Sequence, residues 1–428
     1  MVEIRDPVHG PIQLSEGERR VVDCAAYQRL RHVKQLGFGE MTFPGATHTR
    51  YLHGLGAMHV AGRAFDVATV RADLGAERAR LRQAVRLAAL LHDVGHPPLS
   101  HTAEAMLPPL ESLPADVAQG RSGSHASHED MTLLLLLHGE LGDAIDATFA
   151  GQGIERRHVA ALIDRHMALD PQVYAVGGAD WRPLLGQLVS SELDVDRMDY
   201  LLRDSTFSGV PYGRFDLDWL LGGLDHHLSE GRAELALRER ALLSFEDFLL
   251  SRLHMFVMVY FHPRTNVYDR MFLRFVAGLD AGARFPADPA AYARCDDTSV
   301  WALLREHAGD RWAARVLQRE LPLKRVVDLD EAGEAAHRDA LDAALRARGM
   351  APEWITSRGV LSRYFGAAGD RPRIWVRRDD SLLGPAVVPL EDATSLFRRY
   401  AEPTVLVRLY VEPERRDEAR GVAARLLR

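Results

Sequence analysis

The sequence predicts a mainly α protein: a large helical domain over residues 1–328, then a small α+β C-terminal domain over residues 329–428. Two observations predict it. Apolar residues recur at helical spacing through most of the first 330 positions, with Gly- and Pro-rich stretches between the periodic runs. After about residue 329 the pattern changes to short β-branched runs and one last amphipathic segment.

In chain order, each element has its own signal. "LRQAVRLAALLHD" puts Leu81, Val85, Leu87, Ala88 and Leu91 on one wide apolar stripe. "HEDMTLLLLLHGEL" follows Ser127, a good N-cap, and carries Glu129 and Asp130 in its first turn. "VSSELDVDRMDYLLRD" and "LLSRLHMFVMVYFH" also run at helical period. "FGEMTFPGATHTR", "GHPPLSH" and "FSGVPYGRF" read as loops, and residues 282–299 as a loop or a hinge. "RIWVRR" and "TVLVRLYVE" read as strands and "DEARGVAARLLR" as a closing helix. There is no fixed-period repeat and no low-complexity segment.

The chain of 428 residues is 47% hydrophobic and 26% charged, ordinary for a soluble globular enzyme. A net charge of −7 does not favour polyanions, so nucleic acid is not indicated as a partner and any nucleotide site is a local basic pocket. Two cysteines, Cys24 and Cys295, argue against a disulfide framework and fit a reducing compartment. The start of the chain has no apolar signal region, and the run Leu133 to Leu137 is far too short to span a bilayer. A cytoplasmic protein without a membrane partner is expected.

"LLHDVGHPPLSH", residues 90–101, crowds His92, Asp93, His96 and His101 at the end of an apolar helix. An imidazole next to a carboxylate can bind Mn, Fe, Zn or Mg. The pair is common by chance, and a histidine near a helix C-terminus is favoured by the dipole anyway. "HTRYLHGLGAMH" puts Arg50 and His53 three apart on one helical face, although an isolated His53 would read as a satisfied core histidine. "SELDVDRMDYLLRD" puts Asp196, Tyr200 and Asp204 on one face, four residues apart. A carboxylate amid so much leucine must be paired or metal-bound where it is buried.

A lone His, a His-Asp pair and a distant Asp, in that order, resemble the ligand set of the HD-domain phosphohydrolases. The chain resembles in particular the HD-domain deoxynucleoside triphosphate (dNTP) triphosphohydrolases, in the branch of the vertebrate sterile-alpha-motif-and-HD-domain dNTPase. "IRDPVHGPIQL", "YQRLRHVKQLGFGEMTFPGATHTRYLHGLG", "LLHDVGHPPLSH", "SHED", "LDVDRMDYLLRD" and "SRLHMFVMVYFHPR" carry the resemblance, over about residues 4 to 264. It implies an HD-domain helical fold and one divalent metal ion (Mn, Fe, Mg, Zn or Co) held by His53, His92, Asp93 and Asp196. It implies that His96 and His101 meet the α-phosphate, that Glu104 fixes the His101 tautomer, and that His128 is a general acid. Asp204 is grouped with these catalytic residues. Arg50, Arg197 and Arg252 would meet the triphosphate, Tyr200 and Tyr260 the phosphate and sugar, and Gln35 and Leu36 the base. On pattern alone, Leu36 and Tyr260 read as core, Arg252 could snorkel to the surface, and His128 could be a solvated helix start.

The implied reaction is attack of water on the α-phosphorus of a dNTP, releasing deoxynucleoside and tripolyphosphate. The alternatives are a phosphohydrolase that removes phosphates stepwise from a nucleotide or modified nucleotide, and a nucleotide or nucleic-acid sensor on the same fold. Asp23, Gln28 and Arg31 match the family's activator site, but Val2 stands near where the family has a lysine. Pro263 replaces another lysine, with Arg264 next to it. The expectation is a homo-oligomer, dimer or tetramer, that forms without nucleotide, any nucleotide activator being dispensable.

Overall fold

The computed structural model describes residues 2–123, 125–280, 283–329, 334–359, 373–378, 386–396 and 404–427. Gly282 and Arg428, at the ends of two segments read from the sequence, lie outside the described residues.

The chain opens on an antiparallel hairpin, β1 (Val2–Asp6) and β2 (Gly10–Leu14), which the sequence reading did not foresee. Asp6 builds the turn: its Oδ1 accepts from the Val8 and His9 amides at 2.9 Å, and Gly10 takes a left-handed φ of 71°. Helix α1 (Arg50–Ala68) follows and lies at the centre of the molecule, with α2 (Glu77–Leu91) packed along it. Its glycines allow close approach. A Cβ on Gly54 would stand 2.8 Å from the Leu90 carbonyl oxygen, and one on Gly56 would stand 1.9 Å from Asp199 Oδ1. Helix α3 (His128–His138) starts at the predicted cap, where Ser127 and Asp130 form a reciprocal capping box.

The run read as one helix through Asp196 is two, α4 (Arg182–Val189) and α5 (Val195–Ser208). Ser190, Ser191 and Asp194 prefer caps to helix interiors. The Asp194 carboxylate accepts from the Ser191 amide at 2.8 Å and the Arg197 amide at 2.9 Å, starting α5 afresh. A second unexpected hairpin follows, β3 (Leu224–Ser229) and β4 (Arg232–Arg238). Its two-residue turn has φ of 53° at Glu230 and 75° at Gly231, the left-handed pair of a tight hairpin. Helix α6 (Leu242–Met255) runs into a π-helical turn, Phe256–Tyr260, before α7 (Pro263–Ala277).

The segment read as a loop or hinge is pinned rather than hinged. Tyr292 is buried and donates to the Gly95 carbonyl at 2.8 Å. Asp297, at the start of α8 (Asp297–Glu306), accepts from the Leu99 amide at 2.8 Å and the Lys34 amide at 3.1 Å.

Residues past 323 supply β5 (Lys324–Leu329), α9 (Glu334–Arg346), β6 (Glu353–Gly359), β7 (Trp375–Arg377), β8 (Val387–Pro389), β9 (Thr404–Val411) and α10 (Arg416–Leu426). An antiparallel sheet in the order β5-β9-β6 packs with α9 and α10 around its own apolar cluster, which includes Leu341, Val407, Leu409 and Val422. Strand β7 instead pairs parallel with β4, and β8 pairs with β7. The C-terminal hundred residues are thus divided between a separate sheet and the helical body. Among the described residues, no helix is long and apolar enough to cross a membrane.

Candidate active site

Three helices deliver the four expected metal ligands to one point: α1 brings His53, the end of α2 brings His92 and Asp93, and the first turn of α5 brings Asp196. His53 Nε2 lies 3.1 Å from Asp196 Oδ1 and 3.6 Å from Asp93 Oδ2. His92 Nε2 lies 3.4 Å from both Asp93 Oδ1 and Asp196 Oδ1. Both Nε2 atoms are buried without a hydrogen-bond partner, which is costly unless something fills the space between them. The other ring nitrogens are occupied. His92 Nδ1 is 2.9 Å from the Ala89 carbonyl and His53 Nδ1 is 2.8 Å from Asp199 Oδ2. Carbonyl and carboxylate oxygens accept, so each Nδ1 carries a hydrogen and each Nε2 faces inward, where a cation would displace its proton and take the lone pair. Two imidazole nitrogens and two carboxylates fit one divalent cation.

The electrostatics agree. Burial pulls the His53 pKa down, but Asp196 and Asp199 outweigh it and raise it to about 10. Burial likewise opposes His92, yet Asp93 and Asp196 raise it to about 9. A nest this hungry for positive charge is the complement of a cation.

The loop after Asp93 is held under strain. Leu99 and Ser100 have φ of 56° and 59°, a conformation that L side chains rarely adopt. The Asp297 carboxylate anchors Leu99 from behind, and a Cβ on Gly37 would stand 2.7 Å from the Leu99 carbonyl. This turn aims the Ser100 hydroxyl at the guanidinium of Arg50, which also bonds Asp93.

A second cluster adjoins the first. His96 is buried, lies 3.3 Å from Asp93 Oδ1, and stacks on the His128 ring with centroids 3.9 Å apart. One oxygen of Glu104 meets His128 Nδ1 at 2.6 Å and His101 Nδ1 at 2.9 Å. Burial pushes the Glu104 carboxyl up, but the hydrogen bonds from His101 and His128 bring it down to about 2. Glu104 therefore stays a carboxylate and holds both rings with Nε2 turned away from it. Burial, then Arg50 and His128, hold the His96 imidazole well below its usual range, so it is neutral. Ligand-type atoms of His96, His101, Glu104 and His128 lie within 4.8 Å of one another, as do those of His53, His92 and Asp93.

A cavity of about 700 Å³ lies beside the two clusters, lined by Arg50, which bonds Asp93 of the cradle, and by His101 of the second cluster. Gln35, Leu36, Arg50, His101, Tyr200, Asp204 and Tyr260 line it. The Gln35 side-chain oxygen is buried there without a partner. The Tyr260 hydroxyl donates to Asp204 Oδ2 at 2.7 Å, and Asp204 Oδ1 is 2.7 Å from His48 Nε2. Asp204, grouped with the catalytic residues from sequence, thus stands behind Tyr260 and orients it. Arg197 and Arg252 do not line the cavity. Arg197 is 3.2 Å from Asp194 Oδ2, and the Arg252 guanidinium lies 5.1 Å from the centre of the Phe256 ring.

Sequence reasoning missed Asp199, which supports His53, and Ser100, which supports Arg50. Asp199 has a signal, three residues after Asp196 and four before Arg203, which puts it on the same helix face as both. The far wall of the cavity was not predictable locally: Trp354 to Arg358 of β6 come from the C-terminal sheet.

Residues 224–348 match the family model described as HD associated region. Over 276 residues, 64% of this chain and 49% of the relative, the chain is 30% identical to the uncharacterized protein MJ1154 of Methanocaldococcus jannaschii. Over 292 residues, 63% of this chain and 43% of the relative, it is 28% identical to the deoxynucleoside triphosphate triphosphohydrolase SAMHD1 of Homo sapiens. The chain spans about half the length of the curated relatives it matches. A crystal structure of a hypothetical protein from Aquifex aeolicus is similar over 98% of this chain and 99% of its own, with a TM-score of 0.76 and 27% identity.

Fold, cradle and relatives are similar to those of the HD-domain phosphohydrolases. Within that class, the chain is a relative of the HD-domain dNTP triphosphohydrolase family.

Proposed function

We propose that the protein hydrolyses dNTPs to deoxynucleoside and inorganic tripolyphosphate. The observation that carries this reading is the contact between the two clusters. Asp93 of the metal cradle lies 3.3 Å from His96, which stacks on the Glu104-held His128, so a phosphorus at the cradle has a proton donor beside it.

A divalent ion held by His53, His92, Asp93 and Asp196 would supply Lewis acidity at a phosphoryl oxygen. The remaining roles fall to side chains. Arg50, fixed by Asp93 and Ser100, offers its guanidinium to a phosphate. Water adds to the α-phosphorus and gives up a proton to the solvent, the bond to O5′ breaks, and His128, in its protonated form, gives O5′ its proton. The Glu104 carboxylate, against Nδ1, orients that ring and stabilises the imidazolium that donates from Nε2. The Tyr260 ring, fixed through Asp204, crowds the sugar edge where a 2′-hydroxyl would sit. A cytoplasmic homo-oligomer belongs to the same reading.

The engagement of Arg197 by Asp194 favours a second reading, a phosphohydrolase with fewer phosphates to hold. Incubation of the purified protein with each dNTP plus Mn²⁺ or Mg²⁺, with products separated by chromatography, distinguishes them. Equimolar deoxynucleoside and tripolyphosphate are expected, whereas accumulating orthophosphate with a nucleoside mono- or diphosphate supports the second reading.

A further inference from the structure

The "DPVHG" turn between β1 and β2 plays no part in the reaction above, yet it reaches the metal cradle through a continuous buried network. Asp199 sits at its centre. Its Oδ1 lies 2.6 Å from His9 Nε2 and accepts from Arg203 Nη2 at 2.8 Å. Its Oδ2 accepts from Arg203 Nε at 2.9 Å and from His53 Nδ1 at 2.8 Å. Arg203 in turn donates to both oxygens of Asp6, at 2.8 and 3.3 Å. Asp6 is the residue that folds the turn presenting His9. The side chains of all five residues are at most 3% exposed.

We propose that the N-terminal hairpin is a clamp that positions the metal ligand His53. The proposal rests on the metal-cradle reading. A carboxylate has about four acceptor places, and those of Asp199 are taken by His9, Arg203 twice and His53. Asp199 can then neither rotate nor release the His53 Nδ1 hydrogen, so the Nε2 lone pair stays aimed at the cradle. Stability alone is a poor reason for this network, because desolvating an Asp–Arg–Asp set offsets most of its attraction. Helix α1 also makes room for it: any side chain at Gly56 would collide with Asp199 and with Arg203 Nη2, 2.4 Å away. Asp6, His9, Arg203 and Asp199 are positioning residues, since none of them lines the cavity.

The test titrates the metal-free full chain with Mn²⁺, reading free Mn²⁺ by electron paramagnetic resonance. The thermal midpoint of each metal-free protein is measured in parallel. His9→Ala and Asp6→Asn should each weaken Mn²⁺ binding about ten- to a hundred-fold, the usual effect of losing an outer-shell partner. His9→Gln, which keeps an N–H donor, should recover much of the loss. Folded His9→Ala and Asp6→Asn proteins with wild-type Mn²⁺ affinity overturn the clamp, even if their midpoints fall. If His9→Ala fails to fold, Asp6→Asn and His9→Gln decide alone. Because binding is read directly, a wild-type protein that binds Mn²⁺ but cleaves no dNTP refutes the function above and leaves the clamp standing.

Discussion

Glu104 serves two histidines with one oxygen, and its ionisation gives that arrangement a pH signature. Its folded pKa, about 2, lies below the ordinary 4.5, so its contribution to stability is full above about pH 4.5 and is lost as pH falls through about 2. The difference in urea midpoint between wild type and Glu104→Gln should therefore be constant from pH 7 to 5 and shrink at pH 4 and 3. A gap that widens toward acid would contradict the assignment. His128→Ala should lower turnover about 10²- to 10⁴-fold while metal content stays stoichiometric, whereas Asp196→Ala should lose metal and activity together; elemental analysis separates the two. Tyr260 divides differently. Tyr260→Phe keeps the ring and should keep the preference for dGTP over GTP, while Tyr260→Ala should bring the two rates together. Equal turnover of dGTP and GTP by wild type would remove this role. At this scale the sequence was legible where chemistry crowds neighbours, as at His92-Asp93. It was silent where support comes from afar: Ser100 looks like any loop serine until its backbone turns left-handed.

Helix α1 fits between its neighbours because Gly54 and Gly56 bring no side chains to the contact. Gly56→Ala inserts a Cβ where Asp199 Oδ1 stands 1.9 Å away, so α1 and α5 must separate. Overpacking of this kind typically costs about 1–3 kcal/mol. Chemical denaturation should show that loss, with weaker metal binding alongside it because Asp199 moves. An unchanged midpoint would mean the helices can relax without cost. Helices were the most readable elements, since their apolar period is long and Ser127 advertises its own cap. Two classes of element hid. The β3–β4 hairpin turns on Glu-Gly rather than the familiar Asn-Gly, and the middle of β4, Ala233 to Leu237, is buried throughout, so no alternation shows. The π-helical turn before Tyr260 inserts no residue type of its own, so a helical pattern runs through it unbroken.

The molecule as a whole joins a helical body to a C-terminal sheet across the cavity, and residue-by-residue reading foresaw each part but not their meeting at β6. Assembly is the prediction at this scale. The residues matching the family's activator site are already engaged: Arg31 bonds Gln28 at 2.7 Å and lies over the Tyr51 ring, and Asp23 pairs with Arg19. With Val2 where a lysine would meet an activator's phosphates, the lost contact is worth about 1.5–3 kcal/mol. The protein should therefore be oligomeric by light scattering without nucleotide, and should turn over a non-guanine dNTP supplied alone. A monomer that assembles only with GTP would refute this. The anchoring of Leu99 by Asp297 has a consequence in time. Those partners lie 198 residues apart. At about 5–20 residues per second, a ribosome finishes the first of them roughly ten to forty seconds before the second. Throughout that interval the loop after His92 and Asp93 lacks the carboxylate that anchors Leu99. Retaining an ion there would consequently be a task for a chain already extended past Asp297.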